Sequence, residues 1–256
     1  VRRIVSLTVL AVVLLAAFLV APALLVGNGL ATLSDNAPLA RAFATELTVF
    51  WNAHRSDVSP GLVELVDLWR RWHALKIAIS LLFAVTTVGL SAALWGRFLA
   101  PGRSRAGRVG TGSAAVAATV SVLGGLVAIA ANIQATAAPL SALLPLLPAD
   151  PPAGDLRLSM SQIHDGLVNA DSAFAGRPAL AVLIDSQRTY LTALAVTATV
   201  VAIGCAVGTG CAARRLPRGV GIAGAVITAA VVVAAVAAWV SAADPVGSLL
   251  AIFSLE

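Results

Sequence analysis

The sequence predicts an all-α integral membrane protein with five transmembrane helices, its amino terminus inside and its carboxyl terminus outside. Three observations predict it. Apolar residues make up 59% of the chain and charged residues 11%, with a mean hydropathy of +0.93, whereas soluble domains carry roughly 25% charged residues. Five apolar runs are long enough to cross a hydrocarbon core, which takes about 20 helical residues. The charges are also sorted by location. Nine arginines (Arg2, Arg3, Arg97, Arg103, Arg105, Arg108, Arg214, Arg215, Arg218) occupy three short acid-free stretches, and all twelve acidic residues fall in the remaining polar segments. Arginine-rich, acid-free loops beside apolar runs read as cytoplasmic, which fixes the expected orientation of every span.

The first run, 4–26, reads as an anchor helix. Arg2, Arg3 and the Ala21-Pro22-Ala23 stretch also meet the description of a cleavable signal peptide, and the length of the run favours the anchor. The outer segment that follows holds Leu39, Phe43, Leu47, Phe50 and Trp51 at helical spacing, with Arg41 opposite and Glu46 at the edge of the stripe. This pattern predicts an amphipathic helix resting on the outer leaflet or on the bundle. Ser59 before Pro60 is a helix start, serine as N-cap and proline as the first helical residue. That helix is expected to begin outside and run without a break into the second span, 77–95.

The third span, 113–133, follows the first inner arginine turn. Prolines at 145, 148, 151 and 152 then break the chain, and a short helix is expected over 159–174. Pro178 opens the next long helix, which continues into the fourth span, 190–212, and the fifth span is 219–242. The last residues, 248–255, read as interfacial. Trp69, Trp72, Tyr190 and Trp239 fall at expected outer ends and Trp95 at an inner end, where bilayer interfaces favour aromatic rings. Lys76, at the outer end of its span, needs no buried partner because its stem can carry the ammonium outward.

Part of this order is written twice. Leu65-Val66-Asp67-x-x-Arg70-x-Trp72 aligns without gaps on Leu183-Ile184-Asp185-x-x-Arg188-x-Tyr190, and Pro139-x-x-Ala142-Leu143-Leu144 on Pro245-x-x-Ser248-Leu249-Leu250. The match predicts two copies of a two-span hairpin, parallel because an even number of spans returns the chain to its starting side. The expected organisation is an anchor at 1–26, an outer segment at 27–59, a first repeat at 60–147, an outer linker at 148–177 and a second repeat at 178–256. Together the repeats make a two-plus-two bundle. Small-residue spacing offers close-packing surfaces at Gly204 with Gly208, Gly89 with Ala93, Gly221 with Ala225, and along Ser113, Ala117, Ser121 and Gly125.

The same text excludes several activities. No ionisable residue stands at mid-span, which argues against ion-coupled transport and ranks a solute transporter last. No Walker A loop, Gly-x-Ser-x-Gly elbow or nucleotide-binding glycine motif occurs, and the inner loops are too short for a nucleotide domain. Asp165 and Asp171 are six apart and do not share a helical face. The scattered inner arginines explain the sequence pI of about 10.5 without nucleic acid. Cys205 and Cys211 point to different sides of one helix and form neither a disulfide nor a metal pair. His54, His73 and His164 have no metal-ligand spacing.

What remains is a basic-aromatic collar at the expected outer boundary. The candidate lipid- or partner-binding residues are Asp67, Arg70, Arg71, His73, Asp185, Arg188 and Tyr190. The two Asp-Arg pairs have an i,i+3 spacing that allows each to pair internally. No catalytic residue, metal or cofactor is expected; the expected partners are membrane lipids and other membrane or envelope proteins, with no nucleic acid or nucleotide. One lysine against sixteen arginines, in alanine- and valine-rich spans, is the usage of a GC-rich bacterial genome, and the expected site is the plasma (inner) membrane. The leading expectation is a non-catalytic accessory or scaffold subunit acting at the extracytoplasmic face. The alternative is a lipid- or quinone-handling protein or small membrane enzyme with its site at the collar.

Overall fold

A computed structural model describes residues 2–26, 35–102, 104–169, 171–213 and 218–254. Arg103, Arg214 and Arg215 of the arginine-rich turns lie outside the described residues, as do 27–34 of the first outer segment and Leu255. Among the described residues the regular structure is helical: α1 (Arg2–Leu25), α2 (Ala37–Asn52), α3 (Pro60–Leu99), α4 (Arg105–Ala137), α5 (Pro139–Leu143), α6 (Asp155–Val168), α7 (Pro178–Ala213), α8 (Arg218–Ala243) and α9 (Pro245–Phe253), with a 3₁₀ turn at Leu144–Leu146. Five of these helices are long and apolar enough to cross a membrane: α1, α3, α4, α7 over Pro178–Cys211, and α8 over Gly224–Ala243. They fit a multi-pass membrane protein.

The long helices start and stop where the local chemistry dictates. Ser59 Oγ accepts from the Leu62 N–H at 3.2 Å and donates to Glu46 Oε2 at 2.7 Å, so one side chain caps α3 and ties it to α2. The 40 residues of α3 extend about 60 Å at 1.5 Å each, twice the roughly 30 Å of a hydrocarbon core. Gly102, with φ of +82°, makes the turn between α3 and α4 in a conformation that L side chains rarely adopt. α4 and α8 end in the same way. A residue before proline is pushed out of the helical region, and Ala138 (φ −134°, ψ 70°) before Pro139 matches Asp244 (φ −126°, ψ 75°) before Pro245. Asp244 also accepts from the Gly247 N–H at 2.9 Å.

The contacts divide the chain into two compact units. The first comprises Val1–Asn28 and Trp72–Asn132, and thus α1 with most of α3 and α4. Its core is formed by Leu90, Leu94, Ala115 and Ala118, against which Ile4, Leu7 and Trp95 pack. Thr119 Oγ1 joins α4 to α3, lying 2.9 Å from Ser91 Oγ and accepting from Trp95 Nε1–H at 3.1 Å. The buried stripe of α4 therefore runs through Ala115, Ala118 and Gly125, whereas Ser113 and Ala117 of the expected ladder are exposed. The Lys76 ammonium sits 4.9 Å from the Phe18 ring centre and 5.8 Å from that of Trp72, an aromatic seat rather than a free stem. Trp72 is itself buried, so its ring also serves protein packing.

The second unit comprises Gly29–Arg71 and Ile133–Glu256. α7 and α8 form its long hairpin, in which Thr209 Oγ1 lies 3.0 Å from Thr228 Oγ1. A Cβ on Gly224 would come within 2.9 Å of Thr209 Oγ1, so this glycine makes the close approach; Gly204 and Gly208, expected to do so, have nothing within 4 Å of their Cβ positions. On the hairpin lies a tier of short helices. The stripe of α2 is fully buried at Leu39, Phe43, Leu47, Phe50 and Trp51, with α6 and α7 as neighbours, which decides between leaflet and protein in favour of protein. α6 covers Asp155–Val168, earlier than the expected 159–174, because the helix stops at Asn169, which is extended, and 171–176 form turns before Pro178. α9 packs on α6, α7 and α8, with Leu249 and Phe253 fully buried.

Candidate functional site

An open groove of about 570 Å³ lies in the second unit, where α4 breaks into α5 against the first turns of α7 and the start of α3. Its walls are mostly apolar, from residues such as Val66, Pro139 and Val182, and its charged groups are Arg70 from α3 and Asp185 from α7. Helical register puts them there. Arg70 stands on the exposed side of α3, opposite the buried Leu65 and Leu68, and Asp185 flanks the buried Leu183 on α7.

The two charges are differently committed. Arg70 Nη1 lies 3.3 Å from Asp67 Oδ1, both side chains being about half exposed, and such a pair is worth only about 0–1 kcal/mol. Asp185 is exposed and has neither a hydrogen bond nor an ion pair among the described residues; the i,i+3 pairing expected with Arg188 is not formed. The groove thus presents a lightly held guanidinium and an uncommitted carboxylate over an apolar floor. Ser56 and Thr189 add hydroxyls at its edge.

The floor is fixed from behind. Ser141, 2% exposed, donates from Oγ to Ser186 Oγ at 2.8 Å and from its backbone N–H to the same oxygen at 3.2 Å. This pair clamps the break between α4 and α5 onto α7. One turn along α7, the Tyr190 hydroxyl accepts from Gln134 Nε2 at 2.9 Å, so Tyr190 fastens the end of α4 to α7.

The remaining collar residues go elsewhere. Arg71 is exposed and donates from Nε to the Asp67 carbonyl at 3.3 Å. Arg188 lines a neighbouring, more apolar groove of about 430 Å³ with Thr192 and Val196. His73 is half-buried and belongs to the first unit. Of the seven candidates, the structure brings Arg70 and Asp185 to one groove and Asp67 onto it through Arg70.

Several working residues carried no signal in the sequence. Ser141 and Ser186 are 45 positions apart and nothing local marks either. The tier is also locked by Arg177, whose guanidinium lies 4.8 Å from the Trp51 and Phe174 ring centres, while Trp51 Nε1–H donates to Gln162 Oε1 at 2.8 Å. Arg157 pairs with Asp150 and donates to the Pro151 carbonyl, which holds the linker at the start of α6. Among the described residues no three His, Cys, Asp or Glu side chains form a metal-binding group. The groove can therefore hold a polar or zwitterionic group by charge and hydrogen bonding. No protein-family model, curated protein or solved structure matches the chain.

Proposed function

We propose that the chain is a multi-pass protein of a bacterial plasma membrane, with its amino terminus inside and its carboxyl terminus outside, and that it serves as a non-catalytic accessory or scaffold subunit. The outward tier of α2, α5, α6 and α9 is its working face. The observation that carries this reading is the groove: a fixed, mostly apolar surface with Arg70 and Asp185 exposed on it. A partner segment with one acidic and one basic side chain flanking apolar residues complements such a surface.

The long helices are, in this reading, a duplicated hairpin. Pro60 and Pro178 open the two long helices, Leu62 and Leu65 are buried as are Leu180 and Leu183, and both partner helices end before a proline at nearly the same dihedral angles. Ser91 and Thr209 stand at the same distance from those opening prolines, and each meets a threonine of the following helix. The organisation expected from the sequence, with repeats at 60–147 and 178–256, an anchor at 1–26 and outer segments at 27–59 and 148–177, is the one we propose.

A second reading is supported by the opposite signs of Arg70 and Asp185, which also suit the headgroup of a zwitterionic membrane amphiphile. One experiment separates the two. The intact chain is purified from native membranes in mild detergent, with the R70Q/D185N double variant alongside, and co-purifying proteins and lipids are identified. The accessory reading expects a defined membrane or envelope protein that is lost from the double variant. A lipid lost in its place supports the second reading, and a clean monomer with neither overturns both.

A further inference from the structure

The first unit contains a separate pocket of about 330 Å³ walled by α1, α3 and α4, within the roughly 300–1,000 Å³ of small-molecule sites. Leu15 and Phe18 of α1 and Phe83 of α3 make it apolar, and Ser80 and Ser121 supply hydroxyls. Ser80 is 2% exposed and its hydroxyl has no hydrogen-bond partner. That sets it apart from the hydroxyls of Thr8, Thr87, Thr119, Ser121, Thr197, Thr199 and Thr228, each of which donates to the carbonyl one turn back. A buried donor without an acceptor is costly in apolar surroundings, so a seated acceptor gains the whole of that bond. A water here meets at most these two hydroxyls, the minimum of the two to four polar partners of a buried water.

One turn before Ser80 on the same helix is Lys76. Its ammonium rests on the rings of Phe18, which also walls the pocket, and Trp72, and it forms no ion pair among the described residues. α3 therefore presents, in order, a cation, an unpartnered donor and an apolar chamber, with Lys76 and Ser80 one helical turn, about 6 Å of axial rise, apart. A glycerophospholipid has the complementary order: an anionic phosphate, then ester carbonyls across the short glycerol unit, then acyl chains. We propose that this pocket seats one phospholipid by part of an acyl chain along Leu15, Phe18 and Phe83, with an ester carbonyl accepting from Ser80 and the phosphate outside the pocket on Lys76. A neutral quinone satisfies Ser80 and leaves Lys76 unused. This site is independent of the outer groove.

Gly124 provides the sharpest test, because it lines the pocket and nothing lies within 4 Å of the position a Cβ would take there, so a leucine can be introduced at this wall. The intact chain is purified in mild detergent, and retained lipid is measured by native mass spectrometry and by extraction. The wild type and S80T are expected to retain about one phospholipid per chain, and G124L and K76Q/S80A at least tenfold less, with K76R restoring retention relative to K76Q. Equal retention by the wild type, G124L and K76Q/S80A overturns the proposal, as does recovery of a quinone in place of phospholipid or of no lipid from the wild type. If G124L does not fold, as judged by helicity and size-exclusion profile, K76Q/S80A against S80T decides.

Discussion

Replacing Trp51 with alanine distinguishes a helix held by protein from one resting on a lipid leaflet, the two placements that the stripe of α2 leaves open. Trp51 has no exposed surface, donates to Gln162 Oε1 at 2.8 Å, and carries the Arg177 guanidinium 4.8 Å from its ring centre. Truncating a buried tryptophan to alanine costs about 3–5 kcal/mol. The lost hydrogen bond and cation-π contact, about 1 kcal/mol each, overlap with that figure and are not added to it. We take about 4 kcal/mol for W51A, and about 1.4 kcal/mol for W51F, which keeps a ring under Arg177 and loses the N–H. Arg41 reports the effect, because it is an exposed arginine within α2 and tryptic cleavage after it requires that helix to open. At about 1.4 kcal/mol per tenfold, cleavage in the intact, micelle-bound chain should accelerate by about 10³ in W51A and about tenfold in W51F. A change of less than about threefold in W51A would refute the packing of α2 on α6 and α7 and return the helix to the leaflet.

The other predictions concern caps, clamps and orientation. Removing the Ser59 cap in S59A should destabilise the chain by about 1 kcal/mol, measured as a lower midpoint in denaturing-detergent titration, and E46Q, which keeps an acceptor for the Ser59 hydroxyl, should cost less. T119V and T228V each remove a hydroxyl that joins two long helices, and interhelical bonds of this kind average about 0.6 kcal/mol in membranes. G224L, by contrast, pushes a side chain into Thr209, so the same titration should rank G224L well below T228V in stability. In a chain whose free cysteines are replaced by C205A and C211A, a membrane-impermeant thiol reagent added to intact cells should label D171C and not R105C; the reverse pattern would invert the proposed orientation.

The parts of this fold legible from sequence are those written in local chemistry. Ser59 before Pro60 specifies a helix start by itself, the apolar stripe from Leu39 to Trp51 specifies a buried face, and Pro139 and Pro245 stop their helices through the residues before them. Which small residues touch is not local. In an alanine-rich helix every face has close-packing spacing, and the larger neighbours decide: Leu90, Leu94 and Trp95 select Ala115 and Ala118 over Ser113 and Ala117, and Thr209 selects Gly224. The groove shows the same division. Arg70 and Asp185 stand out as charges at a boundary, whereas the Ser141–Ser186 clamp that shapes the floor depends on a contact between distant segments.

The proposed duplication accounts for an asymmetry in that groove. Copies of one helix begin with the same residues in the same register, and burial still follows that register, with Leu62 and Leu65 on α3 matching Leu180 and Leu183 on α7. The charges no longer follow it. Asp67 is held by Arg70 at 3.3 Å, whereas Arg188 lies on a different wall and leaves Asp185 open in the groove. An exposed carboxylate adds little to the stability of a helix and loses solvation when anything covers it. A cover that brings a cation offsets that loss, and because Arg70 lies in the same groove and is only lightly held by Asp67, an anion beside that cation is favoured as well. The selectivity we assign to the groove rests on this paired preference, which a purely apolar surface of the same size would not impose.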